Sequence, residues 1–344
     1  MLDGGFAWWP AVAGMAAAWT MTGALVRLAP RAGLIDVPNP RSSHTRATPR
    51  GGGLAIVAVV TVAAEIVLAG RPEQRGLLVA VLAGGGLVAL VGLLDDRRGI
   101  APLPRFAAHL VAAAVAVLAI GGPETIAFGE RQLSLGRLGA VFALLGIVWL
   151  VNLTNFMDGV DGIAAGEGVF VGVAGALLLG ATGQPAAASV SLVLAAASLG
   201  FLGWNWSPAR IFMGDVGSGF VGFVTGVLIL AAVARAPSLL WPWLILTGAF
   251  VTDATVTLLC RLLRRERVYQ AHRSHAYQHL ARRWSSHGRV TLAFLAVNLL
   301  WLAPWAWAAW RWPAFGWLHA VAALVPLAGA ALLVGAGRPE ASAG

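Results

Sequence analysis

No lysine occurs anywhere in the 344 residues, so all 24 basic side chains are arginine. In an Ala- and Gly-rich chain this matches GC-rich coding sequence and carries little mechanistic weight. Cysteine is limited to Cys260, which excludes a disulfide-stapled secreted scaffold. Charge is the informative scarcity: Asp, Glu, Lys and Arg make up 11% of the chain, against roughly 25% in an ordinary soluble domain. Hydrophobic residues make up 58%, which excludes a disordered chain. The net charge of +9 invites a nucleic-acid reading, but that needs a basic patch on a soluble face. No soluble domain remains once the apolar runs are marked, so nucleic acid is dismissed and the lipid bilayer is the expected surrounding.

A helical span needs about 20 apolar residues to cross a hydrocarbon core of roughly 30 Å. Eleven stretches qualify, at about 7–29, 53–69, 76–94, 106–121, 138–156, 163–181, 186–204, 216–234, 239–260, 290–310 and 314–335. The first lacks a basic leader and a small-residue cleavage site, so it reads as a retained helix. The expected fold is an all-α polytopic membrane protein forming one domain over residues 1–344. Sorting its loops by parity puts 30–52, 95–105, 157–162, 205–215, 261–289 and the C-terminal tail on one side. Counting Arg27 at the adjoining span end, 18 of the 24 arginines fall on that side. Arg71, Arg75, Arg131, Arg137, Arg235 and Arg311 fall on the other. The positive-inside rule then places the N-terminus outside and the C-terminus in the cytoplasm. The external segment 122–137 has the composition of a short hairpin. The Gly168-xxx-Gly172 and Gly222-xxx-Gly226 spacings and the Gly84–Gly86 run read as close helix packing.

The acids follow the same parity. Asp36, Asp95, Asp96, Asp158, Asp161 and Asp215 all sit at cytoplasmic span ends, in four loops. A cap or solvated carboxylate explains Asp36 as well as any function does. The others are harder to dismiss. Asp95 and Asp96 directly follow an apolar run, and Asp158 and Asp161 sit in Asn155-Phe156-Met157-Asp158-Gly159-Val160-Asp161-Gly162. Asp215 lies in Phe212-Met213-Gly214-Asp215-Val216-Gly217-Ser218-Gly219. Carboxylates gathered among arginines at a membrane surface suit Mg²⁺ or Mn²⁺, commonly held by one or two carboxylates plus substrate phosphates. The glycines around Asp215 would let helix N–H groups approach an anion. The segment His272-Arg273-Ser274-His275-Ala276-Tyr277-Gln278-His279 lies in the most basic loop, with two His spaced to share one helical face. No Cys is near to complete a zinc site, and the preferred reading is donation to phosphate or sugar oxygens. The first loop, with His44, Arg46 and Arg50 among prolines and glycines, is an anion-binding candidate that an anionic lipid would also satisfy.

Together these segments resemble the polyprenyl-phosphate N-acetylhexosamine-1-phosphate transferase superfamily, glycosyltransferase family 4. The matching motifs are DxPNxRSSH…TPRGGG, LLDD, NxxDGxDG, FMGDxGS and HRxH, and they span nearly the whole chain. The segment HRSHAYQH looks closer to the branch that initiates O-antigen and exopolysaccharide synthesis, and leans toward a 6-deoxy N-acetyl donor over UDP-GlcNAc or UDP-GalNAc. The resemblance implies Mg²⁺-dependent transfer of a sugar 1-phosphate from a UDP-sugar to undecaprenyl phosphate, releasing UMP. It implies a bacterial inner-membrane enzyme with its catalytic cleft at the cytoplasmic face, and allows a homodimer. Residue by residue, Asp215 matches the metal-ligand aspartate, and Asp95 and Asp96 the acidic pair assigned to the lipid phosphate. Asn155 and Asp158 match polar positions near the metal, Asp161 and Phe212 the uracil-recognition positions, and Arg105 a phosphate-facing cation. His272, Arg273 and His275 match the donor-contacting loop, and Arg46 or Arg50 stands where relatives often carry Lys in the first loop. A multi-span transporter of an anionic substrate is the competing class, which would use in-span acids such as Glu167 and Asp253.

Overall fold

The computed structural model describes residues 6–38, 46–267 and 272–339. It is an all-α bundle with two short β-pairs. The helices are α1 (Trp9–Leu28), α2 (Leu54–Leu68), α3 (Pro72–Arg98), α4 (Pro102–Ile120), α5 (Arg137–Met157), α6 (Ile163–Ala181) and α7 (Pro185–Asn205). They continue as α8 (Asp215–Arg235), α9 (Pro237–Leu246), α10 (Gly248–Leu263), α11 (Ala276–Trp284), α12 (His287–Arg311) and α13 (Pro313–Val334). Among the described residues nine helices are long and apolar enough to cross a bilayer, or ten if the bent pair α9–α10 counts as one span.

Each of the eleven apolar stretches is helical, but two do not behave as simple spans. At 15 residues, α2 is about 22 Å long, short of a hydrocarbon core of roughly 30 Å. The stretch 239–260, expected as one span, breaks at Thr247 with a bend of 77°. The Thr247 hydroxyl donates to the Trp243 carbonyl at 3.0 Å and the Leu244 carbonyl at 3.3 Å, back-bonding that bends helices. Gly248 follows, and a Cβ there would lie 2.5 Å from Leu324 Cδ2, so α13 presses into the corner.

Helix α8 is the axis of the bundle and packs against α2, α3, α4, α5, α6, α7 and α9. Small residues permit this: a Cβ on Gly222 would lie 2.4 Å from the Leu150 carbonyl oxygen of α5. On the facing side a Cβ on Gly92 of α3 would lie 2.5 Å from the Asp215 carbonyl oxygen. The glycine spacings in α6 and α8 therefore serve packing. Helices α6 and α7 form the other half of the core with α1, while α9, α10, α12 and α13 group together.

The expected hairpin is present as β3 (Thr125–Phe128) and β4 (Arg131–Ser134), antiparallel with Phe128 opposite Arg131. A separate antiparallel pair, β1 (Ile35–Asp36) with β2 (Thr48–Pro49), closes the base of the first loop. Beyond β2, the Phe212 N–H donates to the Pro49 carbonyl at 2.8 Å and the Gly53 N–H to the Met213 carbonyl at 2.9 Å. The TPRGGG segment is thereby laid along the approach to α8.

Candidate active site

Asp95 and Asp96 occupy the last turn of α3, where the negative end of the helix dipole disfavours carboxylates. Each has a compensating partner. Asp96, 2% exposed, points at the N-terminus of α8: its Oδ1 accepts from the Asp215 N–H at 3.0 Å and its Oδ2 from the Val216 N–H at 3.2 Å. Gly214 has φ of 76°, and a Cβ there would lie 2.5 Å from Asp96 Oδ2, so glycine is needed for this approach. The anion expected at the start of α8 is thus supplied by the chain itself at these first two N–H groups. Arg50 donates from Nη2 to the Asp96 backbone carbonyl, and its Nε lies 3.9 Å from Asp96 Oδ1.

Asp95 accepts from the Ile100 N–H at 2.5 Å and pairs with Arg105 Nη1 at 2.5 Å. The same Nη1 lies 3.2 Å from Asp215 Oδ2. One guanidinium nitrogen therefore joins two carboxylates from different helices. Asp158, half-buried just beyond α5, is pushed well above the usual carboxylate range by burial and by the charges of Asp215, Asp96 and Asp161. The turn that carries it is tied down by Asn205, which accepts from the Gly162 N–H at 2.9 Å and donates to the Ile211 carbonyl at 2.9 Å.

Asp161 is spoken for by the fold. Its Oδ2 accepts from the Ala209 N–H at 3.2 Å and its Oδ1 lies 3.2 Å from His287 Nδ1. Burial alone would raise its pKa, but His287, Ala209 and Ser207 outweigh that and hold it below the usual range. His287 carried no signal in the sequence.

The donor-loop candidates lie on the extended segment before α11 rather than on one helical face, with His275 as the N-cap of that helix. The His272 and His275 rings stack at 4.9 Å, and His272 Nδ1 lies 2.9 Å from Ser274 Oγ. Burial, with the His275 and Arg261 charges, depresses the His272 pKa to about 3, so its ring is neutral. His275 approaches Phe156, with ring centroids 6.4 Å apart, which brings this segment beside the Asn155–Gly162 turn. Arg273 is half-buried there, and its carbonyl accepts from Arg282 at 3.1 Å. Phe212 is half-buried and bonded through its backbone to β2. Arg46 is exposed and, among the described residues, forms no ion pair. His44 lies outside the described residues.

Residues 78–233 match the family model described as Glycosyl transferase family 4. The chain is 32% identical to the decaprenyl-phosphate N-acetylglucosaminephosphotransferase of Mycolicibacterium smegmatis (strain ATCC 700084 / mc(2)155) over 319 residues, covering 81% of this chain and 76% of that protein. The chain belongs to glycosyl transferase family 4. It is also 30% identical to the probable undecaprenyl-phosphate N-acetylglucosaminyl 1-phosphate transferase of Bacillus subtilis (strain 168), over 80% of this chain and 77% of that protein. Similarity to the phospho-N-acetylmuramoyl-pentapeptide-transferase of Synechococcus sp. (strain CC9311) is 33% but spans only 66% of this chain and 64% of that protein. Membership of family 4 accounts for the motif order read from the sequence.

Among the described residues no three His, Cys, Asp or Glu side chains form a ready-made metal cage. The donor set nevertheless fits a hard divalent cation. Asp95 and Asp215 share one guanidinium, Asp158 accepts no side-chain hydrogen bond among the described residues, and Mg²⁺ characteristically keeps waters and substrate phosphates beside one or two carboxylates.

Proposed function

We propose that this protein transfers N-acetylglucosamine 1-phosphate from UDP-N-acetylglucosamine to undecaprenyl phosphate, releasing UMP and initiating a cell-surface polysaccharide. The reaction class, transfer of an N-acetylhexosamine 1-phosphate from a UDP-sugar to a polyprenyl phosphate, follows from family membership and the long similarities. The N-acetylglucosaminyl activity for which those relatives are named favours N-acetylglucosamine over the 6-deoxy sugars suggested by the HRSHAYQH segment. The single observation that carries the mechanism is Arg105 Nη1, held between Asp95 at 2.5 Å and Asp215 at 3.2 Å.

In this reading Asp215 holds Mg²⁺, with Asp95 and Asp158 close by, and the bound cation would neutralise and orient the donor diphosphate. Asp96 fixes the start of α8 and so aims Asp215. Arg105 and Arg50 add positive charge where phosphate oxygens gather, since phosphoryl transfer depends mainly on positioning and charge neutralisation. Asn155, Phe212, His272 and Arg273 would line the donor side, whereas His275, expected there, is 2% exposed and lies behind them against Asp253. An oxygen of the lipid phosphate attacks the phosphorus nearer the sugar, and the bond from that phosphorus to the UMP oxygen breaks. Both Asp95 oxygens are engaged, by Ile100 N–H and Arg105, which favours one in-line displacement over a covalent intermediate on Asp95.

In this reading α2 and the bent pair each count as one crossing, eleven in all, and the arginine excess around the site supports a cytoplasmic-facing cleft in a bacterial inner membrane. Cysteine placed in the β3–β4 turn should react with an impermeant thiol reagent in intact cells, and cysteine at Arg265 should not. The activity test is UMP release by detergent-solubilised protein given UDP-GlcNAc, Mg²⁺ and undecaprenyl phosphate, with UDP-GalNAc and 6-deoxy donors as comparators. UMP from UDP-GlcNAc is expected; its absence with every donor, from folded protein, overturns the reading. A chiral-phosphate donor should give inversion at phosphorus, and retention would restore the covalent scheme.

A further inference from the structure

Asp253 sits inside α10 and is 3% exposed, a costly place for a carboxylate unless it is fully bonded. Four donors converge on it. Its Oδ1 accepts from the Ala276 N–H at 2.9 Å and the Thr257 hydroxyl at 3.1 Å, and lies 3.3 Å from His275 Nδ1. Its Oδ2 accepts from the Tyr277 N–H at 2.9 Å. The carboxylate thus caps α11 from outside that helix and holds the His275 ring beside it.

The connection continues through Tyr277, whose side chain is fully buried. Its hydroxyl donates to the Phe156 carbonyl at 2.9 Å, and a Cβ on Gly159 would lie 2.1 Å from that hydroxyl oxygen. The His275 ring stacks on Tyr277 at 5.7 Å and on His272 at 4.9 Å. An unbroken set of contacts therefore runs from the bent span, through the HRSH segment, to the turn carrying Asn155 and Asp158.

We propose that Asp253 and Tyr277 are positioning residues that lock the His272–His275 segment to the Asn155–Gly162 turn, so that both loops meet the UDP-sugar as one rigid surface. This rests on the transferase reading above. Neither residue touches the reacting atoms; Asp253 acts through His275, and Tyr277 through Phe156 and its neighbours.

The test compares full-length wild type, Asp253→Asn and Tyr277→Phe in detergent, varying UDP-GlcNAc at saturating undecaprenyl phosphate and then the reverse. An amide at 253 must turn an NH₂ toward a backbone N–H, so donor KM should rise roughly tenfold, and about threefold for Tyr277→Phe, which loses one hydroxyl bond. Tyr277→Phe should melt slightly lower for the lost bond, but acceptor KM should stay at the wild-type value in both folded variants, a donor-selective change that a purely structural role would not produce. Unchanged donor KM in either folded variant, or acceptor KM rising equally, overturns the proposal. Should Asp253→Asn fail to fold, Tyr277→Phe decides alone. Hydrogen exchange without substrate adds an arm independent of turnover: amides 276 and 277 should exchange faster in Asp253→Asn, and unchanged protection overturns the strut. If wild type released no UMP, the transferase reading would fall while this exchange result still judged the strut.

Discussion

Around Asp253 every carboxylate oxygen meets donors supplied by the chain, whereas around Asp215 three carboxylates, Asp95, Asp96 and Asp215, share two guanidinium groups and three backbone N–H groups, and Asp158 takes none of them. Both clusters are acidic and lie near helix ends, but only the first is complete. A buried charge completed by its own fold is a structural device. One left short of positive charge, beside a partly open surface, is completed by something the chain does not contain. Asp158 marks the difference most clearly, since like charges and burial disfavour its ionised form. The second cluster is where a cation and phosphates would add most.

The largest expected effect comes from removing the charge that has no internal substitute. Asp215→Asn should lower UMP release by about a thousandfold or more, in line with loss of a central electrostatic group, and should abolish the response to added Mg²⁺ while the protein still elutes as folded. Wild-type turnover would remove Asp215 from the metal site and erase the contrast between clusters. Next in size, Arg105→Ala frees Asp95 and Asp215 from their shared partner. A loss of about a hundredfold is expected, with partial recovery in Arg105→Lys, because an ammonium restores charge but not the planar fork.

Local motifs were legible and tertiary pairings were not. FMGDxGS marked Asp215 because glycines and an acid at a helix start are a short-range pattern, and Arg105 came only from the resemblance to the family. Hydropathy marked all eleven apolar stretches as helix, yet it carries no direction, so the 77° turn at Thr247 stayed hidden inside one expected span. The partners that finish each site are far away in sequence. His287 reaches Asp161 across 126 residues and Asp96 reaches the Asp215 N–H across 119. The glycines before α8 announced an anion there, but only packing of α3 on α8 reveals that Asp96 supplies it. Asp253 read as an in-span acid best explained by a satisfied interhelical hydrogen bond, and the partners, two N–H groups at the start of α11, were visible only in the fold.

A smaller effect separates stability from function within the incomplete cluster. Asp158→Asn removes a carboxylate that repels Asp215, Asp96 and Asp161. In Mg²⁺-free buffer the variant should be more stable than wild type by about 1 kcal/mol, read as a higher melting temperature, while turnover falls. Added Mg²⁺ should narrow that gap, because the cation relieves the same repulsion in wild type. A variant less stable than wild type without Mg²⁺ would show that Asp158 is already satisfied, and the two clusters would no longer differ in kind.

The smallest effect belongs to Asp161, which resembles Asp253 in being bonded by its own fold. Its pKa is held below the usual range, so the folded protein keeps it ionised to lower pH than the unfolded chain does. The stability this contributes is complete above about pH 3.9, the ordinary Asp value, and fades as pH falls through the lower folded value. Asp161→Asn should therefore cost on the order of 1 kcal/mol near neutrality, through a weakened bond to His287 and the Ala209 N–H. The gap between variant and wild type should shrink as the buffer is taken below pH 4. Melting curves at pH 7 and at the lowest pH the detergent-solubilised protein tolerates supply the comparison. A gap that stays constant across that range would mean the Asp161 charge contributes nothing, leaving only the shape of the side chain to hold the turn against α12.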